Sequence, residues 1–354
     1  MMEMDFKLLF NIFGAFISGI VVHYLVIDLS LKKGIFIDDN LSDLPQKFHK
    51  VPTPRIGGLG IFIGCFFMII NANLGLYIML AAVPAFVSGL LEDLYAKISP
   101  GRRIIIMLVS AAMAIYLLDI IVVNFGIFSV PPIIGIFITV VAIIGMINGM
   151  NLIDGINGLS AGVSLIIFTT YSILAYIMKD MDLFFVCILT ASVLVSFLFF
   201  NFPKGKIFLG DGGAYFTGFI LSVVSILLAE RHAENISPWF VFACLIHPVF
   251  EVIFSFVRKM FFTKISPFDP DPHHIHQLIF IYLANKNNPK TTLMILPFVL
   301  GFNLLALKFY NNHSILIFIS FVYMMLYTFV YLMLDKKHKE LAISGKAEPL
   351  SVNL

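Results

Sequence analysis

Ionisable and amide side chains collect at four places in a chain that is otherwise strongly apolar. The first is the acidic pair Glu92-Asp93, which closes an apolar run and is followed, nine residues after Asp93, by Arg102. Carboxylates that bind a metal or a proton, next to an arginine that binds phosphate, suit phosphoryl transfer. A solvated helix cap is the alternative, although acidic groups at a helix C-terminus oppose the helix dipole. From these residues alone, both interpretations stay open.

The second group is an asparagine-rich run, N-G-M-N-L-I-D-G-I-N-G-L at 148–159. Asn148, Asn151, Asp154 and Asn157 recur at every third position, so on a helix they form one polar stripe that drifts slowly around the axis. Buried amides and a buried carboxylate are costly without partners, and the glycines of the run leave room for a ligand or another backbone. The pattern favours a binding site, with a structural polar seam between helices as the alternative.

The third group is a glycine-rich turn, F-L-G-D-G-G-A at 208–214, which carries Asp211 immediately before an apolar stretch. An aspartate at this position can cap the helix that follows. Oxygen ligands on a flexible turn also suit Mg²⁺, which proteins usually hold with one or two carboxylates while phosphates complete its shell. The spacing leaves this choice open.

The fourth group is a histidine-rich segment, S-P-F-D-P-D-P-H-H-I-H-Q-L at 266–278. Three histidines within four positions suggest zinc, but their spacing matches no standard zinc signature and no cysteine accompanies them. Imidazoles that donate to phosphate or uridine oxygens fit the setting better. Glu251 and Arg258 precede the segment and add a buried acid and a further candidate phosphate ligand.

The composition predicts that membrane helices position these groups. Of the 354 residues, 60% are hydrophobic and 12% are charged, far from the balance of a soluble globular domain. A membrane-crossing helix needs roughly 20 mostly apolar residues, and the chain contains eleven candidate spans, of which the second and third are short and could be merged or shifted. They run near 6–28, 56–71, 74–91, 104–123, 132–148, 160–178, 183–201, 212–230, 239–257, 293–309 and 314–334.

The basic residues predict the orientation of these spans. With the N-terminus outside, 19 of the 23 Lys and Arg residues fall in or near the inward connections and the C-terminal tail, which is the asymmetry of the positive-inside rule. All four polar groups then lie on the cytoplasmic side. We expect a single all-α membrane domain of about 10–11 transmembrane helices over residues 1–354, with core motifs at 50–280 and a basic cytoplasmic tail at 335–354.

One physical arrangement unites the four polar groups. Carboxylates and amides hold a divalent cation, the cation binds a diphosphate, and basic residues neutralise a second phosphate. A water-soluble nucleotide and a lipid-borne phosphate could both reach such a site. The main rival is a membrane transporter, which would place charged groups near the middle of the membrane and in paired halves. A scaffold without chemistry gives no reason for so many buried polar residues on one side.

In these motifs the sequence closely resembles the polyprenyl-phosphate N-acetylhexosamine-1-phosphate transferases, the MraY/WecA/TagO superfamily of glycosyltransferase family 4. The shared features are P-T-P-R-I-G-G-L-G-I at 52–61, the acidic pair, the asparagine-rich run, the glycine-rich turn and the histidine-rich segment. The run S-P-F-x-P-D-x-x-H-I-H-x-L is similar to the WecA type, which loads GlcNAc-1-phosphate onto undecaprenyl phosphate. It is less similar to the phospho-MurNAc-pentapeptide type of peptidoglycan synthesis, which is the alternative within the superfamily.

The resemblance implies a phosphotransferase in which the lipid phosphate attacks the β-phosphorus of a UDP-sugar and releases UMP. It implies catalytic roles for Glu92, Asp93, Asp154, Asp211, His274 and His276. It implies substrate binding by Arg55, Arg102, Asn148, Asn157 and Arg258. Asn151 and Asp211 are the implied metal ligands.

Individual roles follow from the matching positions. The acidic pair would orient or deprotonate the lipid phosphate, which Arg102 would hold. Asn157 and Asp154 would face the nucleotide. The histidine pair and Arg258 would face the sugar-phosphate.

The implied cofactor is Mg²⁺, with Mn²⁺ as an alternative. The implied partners are a UDP-sugar, undecaprenyl phosphate and membrane lipid, while a homodimer is left open and no nucleic acid is expected. The implied location is the bacterial inner membrane, where a lipid-linked glycan such as O-antigen would be started. Four residues depart from the family pattern and suggest a branch that uses a different amino sugar: Glu92, Asn157, Ala214 and Gln277.

Overall fold

The computed structural model describes residues 2–38, 53–70, 73–95, 98–263 and 273–343. Within these ranges the chain forms thirteen α-helices and one two-stranded ribbon. The helices are α1 (Met2–Lys33), α2 (Gly57–Gly64), α3 (Asn73–Tyr95), α4 (Pro100–Leu118), α5 (Pro132–Leu152), α6 (Leu159–Ile177), α7 (Met181–Asn201), α8 (Gly210–Arg231), α9 (Pro238–Cys244), α10 (Ile246–Val257), α11 (Ile275–Tyr282), α12 (Asn288–Lys308) and α13 (His313–Ile343). Strands β1 (Ile37–Asp38) and β2 (Thr53–Pro54) pair antiparallel. The prediction of an all-α architecture is confirmed.

Nine of the described helices are long and apolar enough to cross a membrane: α1, α3 to α8, α12 and α13. Helices α9 and α10 meet at a 75° bend and together have the length and composition of a tenth span. Helix α2 continues as a 3₁₀ turn, Cys65–Met68, and this apolar unit is shorter. The chain is therefore a multi-pass membrane protein, and its short helix corresponds to the short second span that the sequence predicts.

The loop between α4 and α5 begins earlier than predicted. Helix α4 ends at Leu118, not near residue 123, because Asp119 adopts a left-handed conformation with φ of 52°. The following segment forms a small hairpin in which Asn124 is bridged to Ser129. Helix α5 then starts at Pro132, a favourable residue for a first helical position.

Helix α13 continues past the predicted span end at 334 and runs to Ile343. An ion pair between Lys339 and Asp335, 2.7 Å apart and one turn from each other, supports this extension. The first part of the predicted basic tail is therefore helical, and the residues after 343 lie outside the described ranges.

Helix α8 is the centre of the bundle. Nearly all of its residues are buried, as expected for a helix that is surrounded on all sides. Helices α2 and α3 approach its first turns closely through glycines: a Cβ atom on Gly58 would lie 2.2 Å from the backbone nitrogen of Gly213, and one on Gly89 would lie 2.4 Å from the carbonyl of Asp211. Small residues of this kind let membrane helices bring their backbones together.

The described residues of the four polar groups lie at one end of the bundle, called the polar end below, while residues 266–272 of the histidine-rich segment lie outside the described ranges. The chain enters α2 just after Arg55 and α8 just before Asp211, and it leaves α3 just after Asp93 and α5 just before Asp154. Because successive spans alternate in direction, these four helix ends share one face of the bundle. The short helix α11 packs against α12 and α13 and carries the histidines to the same end.

Candidate active site

The carboxylate of Asp93 caps the N-terminus of α8 from a different helix. Its two oxygens accept hydrogen bonds from the backbone N–H groups of Asp211 and Gly212, each at 2.9 Å. These N–H groups belong to the first turn of α8 and have no acceptor within their own helix. A negative charge is favourable at a helix N-terminus. The unfavourable interaction of Asp93 with the C-terminal end of the α3 dipole is therefore offset by its favourable interaction with the N-terminus of α8.

Asp211 is the centre of a hydrogen-bonded cluster at the start of α8. Its Oδ1 accepts a hydrogen bond from Arg55 Nη2 at 3.0 Å, and Arg55 Nε lies 3.7 Å from Asp93 Oδ1. Its Oδ2 accepts a hydrogen bond from the Tyr215 hydroxyl at 3.4 Å and lies 3.8 Å from Arg103 Nη1. Carboxylates that could bind a cation and guanidinium groups that could bind phosphate thus lie within 4 Å of each other. We call these five residues the Asp211 cluster.

The segment between α5 and α6 carries Asp154 to the same cluster. Burial raises the pKa of Asp154 well above its usual range, while the charge of Arg55 lowers it and the carboxylates of Asp211 and Asp93 raise it further. Such interactions require that the charged groups of these residues lie near one another. A cation bound beside them would stabilise the ionised form of Asp154.

Amide and hydroxyl side chains hold the backbone of this segment in place. The N–H of Asn157 donates to Asn288 Oδ1 at 2.7 Å, and its carbonyl accepts from Thr292 Oγ1 at 2.6 Å. The N–H of Gly158 donates to Asn201 Oδ1 at 2.6 Å. The segment is thereby tied to α12 and α7, so that Asp154 stands on a fixed backbone.

Two parallel imidazole rings lie beside the same segment. The rings of His274 and His276 are 5.6 Å apart and 8° from parallel. Nε2 of His276 faces the backbone of Gly155, since a Cβ atom there would lie 3.1 Å from it. Burial lowers the pKa of His276 to about 3, although the Glu251 carboxylate acts in the opposite direction. The ring is therefore neutral near pH 7 and would contribute hydrogen bonds, not charge.

A mostly apolar cavity of about 510 Å³ runs along α5, α8, α9 and α10. Trp239 and Glu230 line the end that lies away from the polar end, and Val249 and Val252 line the other. A Cβ atom on Gly149 of α5 would lie 3.2 Å from the Val252 side chain. Along α5 the lining of the cavity ends at Met146, two positions before the asparagine-rich run.

Comparison with known proteins identifies the family. Residues 75–229 match the family model described as glycosyl transferase family 4. A probable undecaprenyl-phosphate N-acetylglucosaminyl 1-phosphate transferase of Bacillus subtilis is 29% identical over 315 residues, which are 83% of this chain and 84% of that protein. An undecaprenyl-phosphate alpha-N-acetylglucosaminyl 1-phosphate transferase of Thermotoga maritima is 30% identical over 289 residues, 80% of this chain and 86% of that protein. The chain belongs to glycosyl transferase family 4.

The predicted position within this family is also confirmed. A phospho-N-acetylmuramoyl-pentapeptide-transferase of Enterococcus faecalis is 35% identical, but over 153 residues that cover 42% of this chain and 46% of that protein. The undecaprenyl-phosphate N-acetylglucosaminyl 1-phosphate transferases align over a much larger part of the chain. This member of glycosyl transferase family 4 is therefore closer to the WecA type.

Of the two arginines that begin α4, the structure brings Arg103 to the Asp211 cluster. Arg103 Nη1 also lies 3.3 Å from the Tyr215 hydroxyl. Arg102 is exposed on the same helical turn. Its assignment to the lipid phosphate stays a prediction. The exposed position at the polar end is accessible to the headgroup of an approaching lipid.

Two other residues implied by the resemblance bond locally in the structure. Asn148 donates to the carbonyl of Ile144, one turn back in α5, at 2.8 Å. Glu92 accepts from the backbone N–H of Ile98 at 3.2 Å and so holds the turn before α4. Both side chains are half-buried at the polar end, and their roles toward substrate stay predictions.

The remaining predicted residues lie at the same end of the bundle. Asn151 is half-buried on the last turn of α5. Asn157 is buried, and its Nδ2 donates to the carbonyl of Pro203 at 3.3 Å, a contact that makes it part of the frame of the site. Arg258 is buried, with its guanidinium carbon 5.7 Å from the centre of the Tyr331 ring.

Sequence reasoning did not find several residues that shape the site. Tyr215 follows Asp211 by four positions, a helical spacing that could have indicated the contact. His23 lies within the first predicted span, where an ionisable residue is a signal in itself; its Nε2 is 3.0 Å from the carbonyl of Gly57 at the start of α2. No sequence pattern indicated Asn288 and Thr292, because they contact residues of the asparagine-rich run that are more than 130 positions away in the sequence.

The side chains of the site fit a hard divalent cation. Asp211, Asp154 and Asn151 offer carboxylate and amide oxygens, which Mg²⁺ prefers. Within the described ranges, no three His, Cys, Asp or Glu side chains are arranged so that they could hold a metal by themselves. Mg²⁺ is usually held by one or two carboxylates, while substrate phosphates and water complete its coordination.

Proposed function

We propose that this enzyme transfers an N-acetylhexosamine-1-phosphate from a UDP-sugar to a polyprenyl phosphate such as undecaprenyl phosphate, and releases UMP. The observation that carries the proposal is the meeting of carboxylates, arginines and paired histidines at one end of a membrane bundle, beside an apolar cavity. The names of the relatives that align over most of the chain support the same sugar-1-phosphate transfer.

In this reaction an oxygen of the lipid phosphate forms a bond to the β-phosphorus of the UDP-sugar. The bond from the β-phosphorus to the oxygen shared with the α-phosphate breaks, and its electron pair leaves with UMP. Negative charge spreads over the phosphoryl oxygens, so preorganised cations are the main contribution that a protein can make. Arg55 and Arg103 lie at different oxygens of Asp211 and are placed for that task.

The carboxylates have different tasks in this proposal. Asp211 and Asn151 would hold Mg²⁺ or Mn²⁺, which when bound neutralises the diphosphate. Asp93 positions the first turn of α8 because both of its oxygens are engaged by backbone N–H groups. A phosphate monoester is largely ionised at neutral pH, so the attacking oxygen does not depend on a strong base. Asp154 would then face the nucleotide side.

We place the polar end at the cytoplasmic face and the N-terminus outside. This orientation puts 19 of the 23 Lys and Arg residues on the inner side. It also gives the site access to a soluble UDP-sugar, while the apolar cavity offers a path for the first isoprene units of the lipid acceptor. The lining of the cavity is in keeping with a bound isoprene chain, since it includes the apolar residues Val249, Val252 and Ile253.

The proposal is tested with purified protein in detergent, undecaprenyl phosphate and Mg²⁺. UDP-GlcNAc, UDP-GalNAc and UDP-MurNAc-pentapeptide are supplied in turn, and lipid-linked product and released nucleotide are measured by mass spectrometry. We expect UMP and a lipid diphosphate sugar from one UDP-N-acetylhexosamine. Asp211→Asn should abolish both products while the melting temperature stays within a few degrees of wild type. Release of UDP instead of UMP, or uptake of intact donor into vesicles with no product, would overturn the proposal.

A further inference from the structure

A buried carboxylate in the bent span α9–α10 is engaged on both oxygens. Glu251 is 1% exposed; its Oε1 lies 2.8 Å from His274 Nδ1, and its Oε2 accepts a hydrogen bond from the Tyr327 hydroxyl at 2.6 Å. An ionisable side chain inside a membrane protein is expensive and is usually retained for a task. The two partners come from α13 and from the histidine-rich segment, so this carboxylate joins three separate parts of the chain.

The geometry determines how His274 presents its ring. An ionised carboxylate can only accept hydrogen bonds, so the nitrogen that faces Glu251 must carry a proton. Nε2, on the other side of the ring, then accepts a hydrogen bond from a substrate hydroxyl when the ring is neutral and donates one to a substrate oxygen when the ring is protonated. The backbone of His274 is held as well, because its N–H donates to Gln277 Oε1 at 3.2 Å. Ring and backbone are therefore both fixed before a substrate arrives.

We propose that Glu251 and Tyr327 are positioning residues that set the tautomer and direction of the His274 ring toward the sugar-phosphate. The inference rests on the proposed function, because it assumes that His274 meets the donor substrate. Tyr327 acts indirectly. Its hydroxyl donates to Oε2 of Glu251, so that Oε1 stays directed at Nδ1 of His274. Partners of this kind, which orient a histidine that meets a metal, typically change activity or affinity by about 10- to 100-fold when removed.

The next helical turn supplies a matched control for the packing of α10 against α13. His247 lies four residues before Glu251, and Tyr323 lies four residues before Tyr327. His247 Nδ1 and the Tyr323 hydroxyl are also 2.6 Å apart, and both tyrosines are buried. A structural role of these hydrogen bonds would affect both tyrosines alike, whereas a positioning role affects only the one that contacts Glu251.

The experiment compares four single variants in the transfer assay, after wild type has been shown to form lipid-linked product. Glu251→Gln is expected to lower kcat by about 10-fold or more, with the KM for the UDP-sugar within about 3-fold of wild type. Tyr327→Phe is expected to lower kcat by about 3- to 10-fold, whereas Tyr323→Phe should stay within about 2-fold. His274→Gln should lower kcat by at least as much as Glu251→Gln. Melting temperatures are recorded for each variant.

A double variant separates positioning from folding. If Glu251 acts through His274, Glu251→Gln added to His274→Gln should change kcat by less than about 2-fold, a strong departure from additivity. Equal losses in Tyr323→Phe and Tyr327→Phe, or losses that multiply in the double variant, would overturn the inference. Full activity of His274→Gln would also overturn it while leaving the proposed function intact. Absence of product from wild type with every donor would instead refute the proposed function.

Discussion

Replacement of Asp93 should destabilise the start of α8 more than its position at the end of α3 suggests. Its carboxylate accepts two 2.9 Å hydrogen bonds from the N–H groups of Asp211 and Gly212. Hydrogen bonds to a charged group contribute roughly 1.5–3 kcal/mol each, so Asp93→Ala should reduce the free energy of unfolding by about 3–6 kcal/mol. Asp93→Asn keeps one acceptor oxygen and should lose about half of that.

Thermal unfolding of the purified variants in detergent measures this loss. In domains of 150–250 residues, 1 kcal/mol corresponds to roughly 2–4 °C in Tm, so Asp93→Ala should melt about 6 °C or more below wild type. Glu92→Ala is the matched control for stability, because Glu92 is the adjacent acid and accepts a single hydrogen bond, from Ile98 at 3.2 Å. With one hydrogen bond lost instead of two, its Tm should fall by about half as much as that of Asp93→Ala.

The reasoning would be refuted by equal shifts in Tm for the two alanine variants. It would also be refuted if Asp93→Ala melted like wild type. A third outcome, an Asp93→Asn variant with wild-type Tm and no transfer, would show that Asp93 takes part in the chemistry and does not mainly hold α8.

Three further predictions concern the surroundings of Asp211. Arg103→Ala should lower kcat by about 10-fold or more, the loss expected for one charge-assisted hydrogen bond, whereas Arg102→Ala should mainly raise the KM for the lipid phosphate; equal effects on both parameters would contradict this division. Gly89→Ala should abolish activity and lower Tm, because its Cβ would lie 2.4 Å from the Asp211 carbonyl, while Gly301→Ala, with open space around it, should leave Tm unchanged or slightly raised. Chelation of divalent cations should stop transfer and addition of Mg²⁺ or Mn²⁺ should restore it; transfer that persists in excess chelator would exclude a metal requirement.

The membrane architecture and the common location of the polar groups could be predicted from the sequence. Apolar runs and the side on which basic residues lie are local features, and they indicated the spans and the shared face of the four groups. The broken span α9–α10 was predicted as one helix near 239–257, because a 75° bend leaves no gap in an apolar run. The hydrogen bonds between Asp93 and the first turn of α8 could not be predicted either, since no local sequence pattern shows that the end of α3 meets the start of α8.

The detailed frame of the site depends on contacts between distant residues. The regular spacing of Asn148, Asn151, Asp154 and Asn157 favoured one continuous stripe on a helix, whereas α5 ends at Leu152 and the last two lie in the following turn. Hydrogen bonds from α7 and α12 make that turn possible by satisfying its backbone groups. Sequence spacing identified the residue types needed for the chemistry but not which of them face the pocket and which support it.

The most direct test of the site is an experimental structure of the protein in a lipid nanodisc with UDP-GlcNAc and Mg²⁺. We expect the diphosphate to lie against Asp211, within hydrogen-bond distance of Arg55 or Arg103, with the sugar toward His274. A donor bound at the opposite end of the bundle, or at the polar end without contact to the Asp211 cluster, would contradict the shared pocket from which the transfer reaction is inferred.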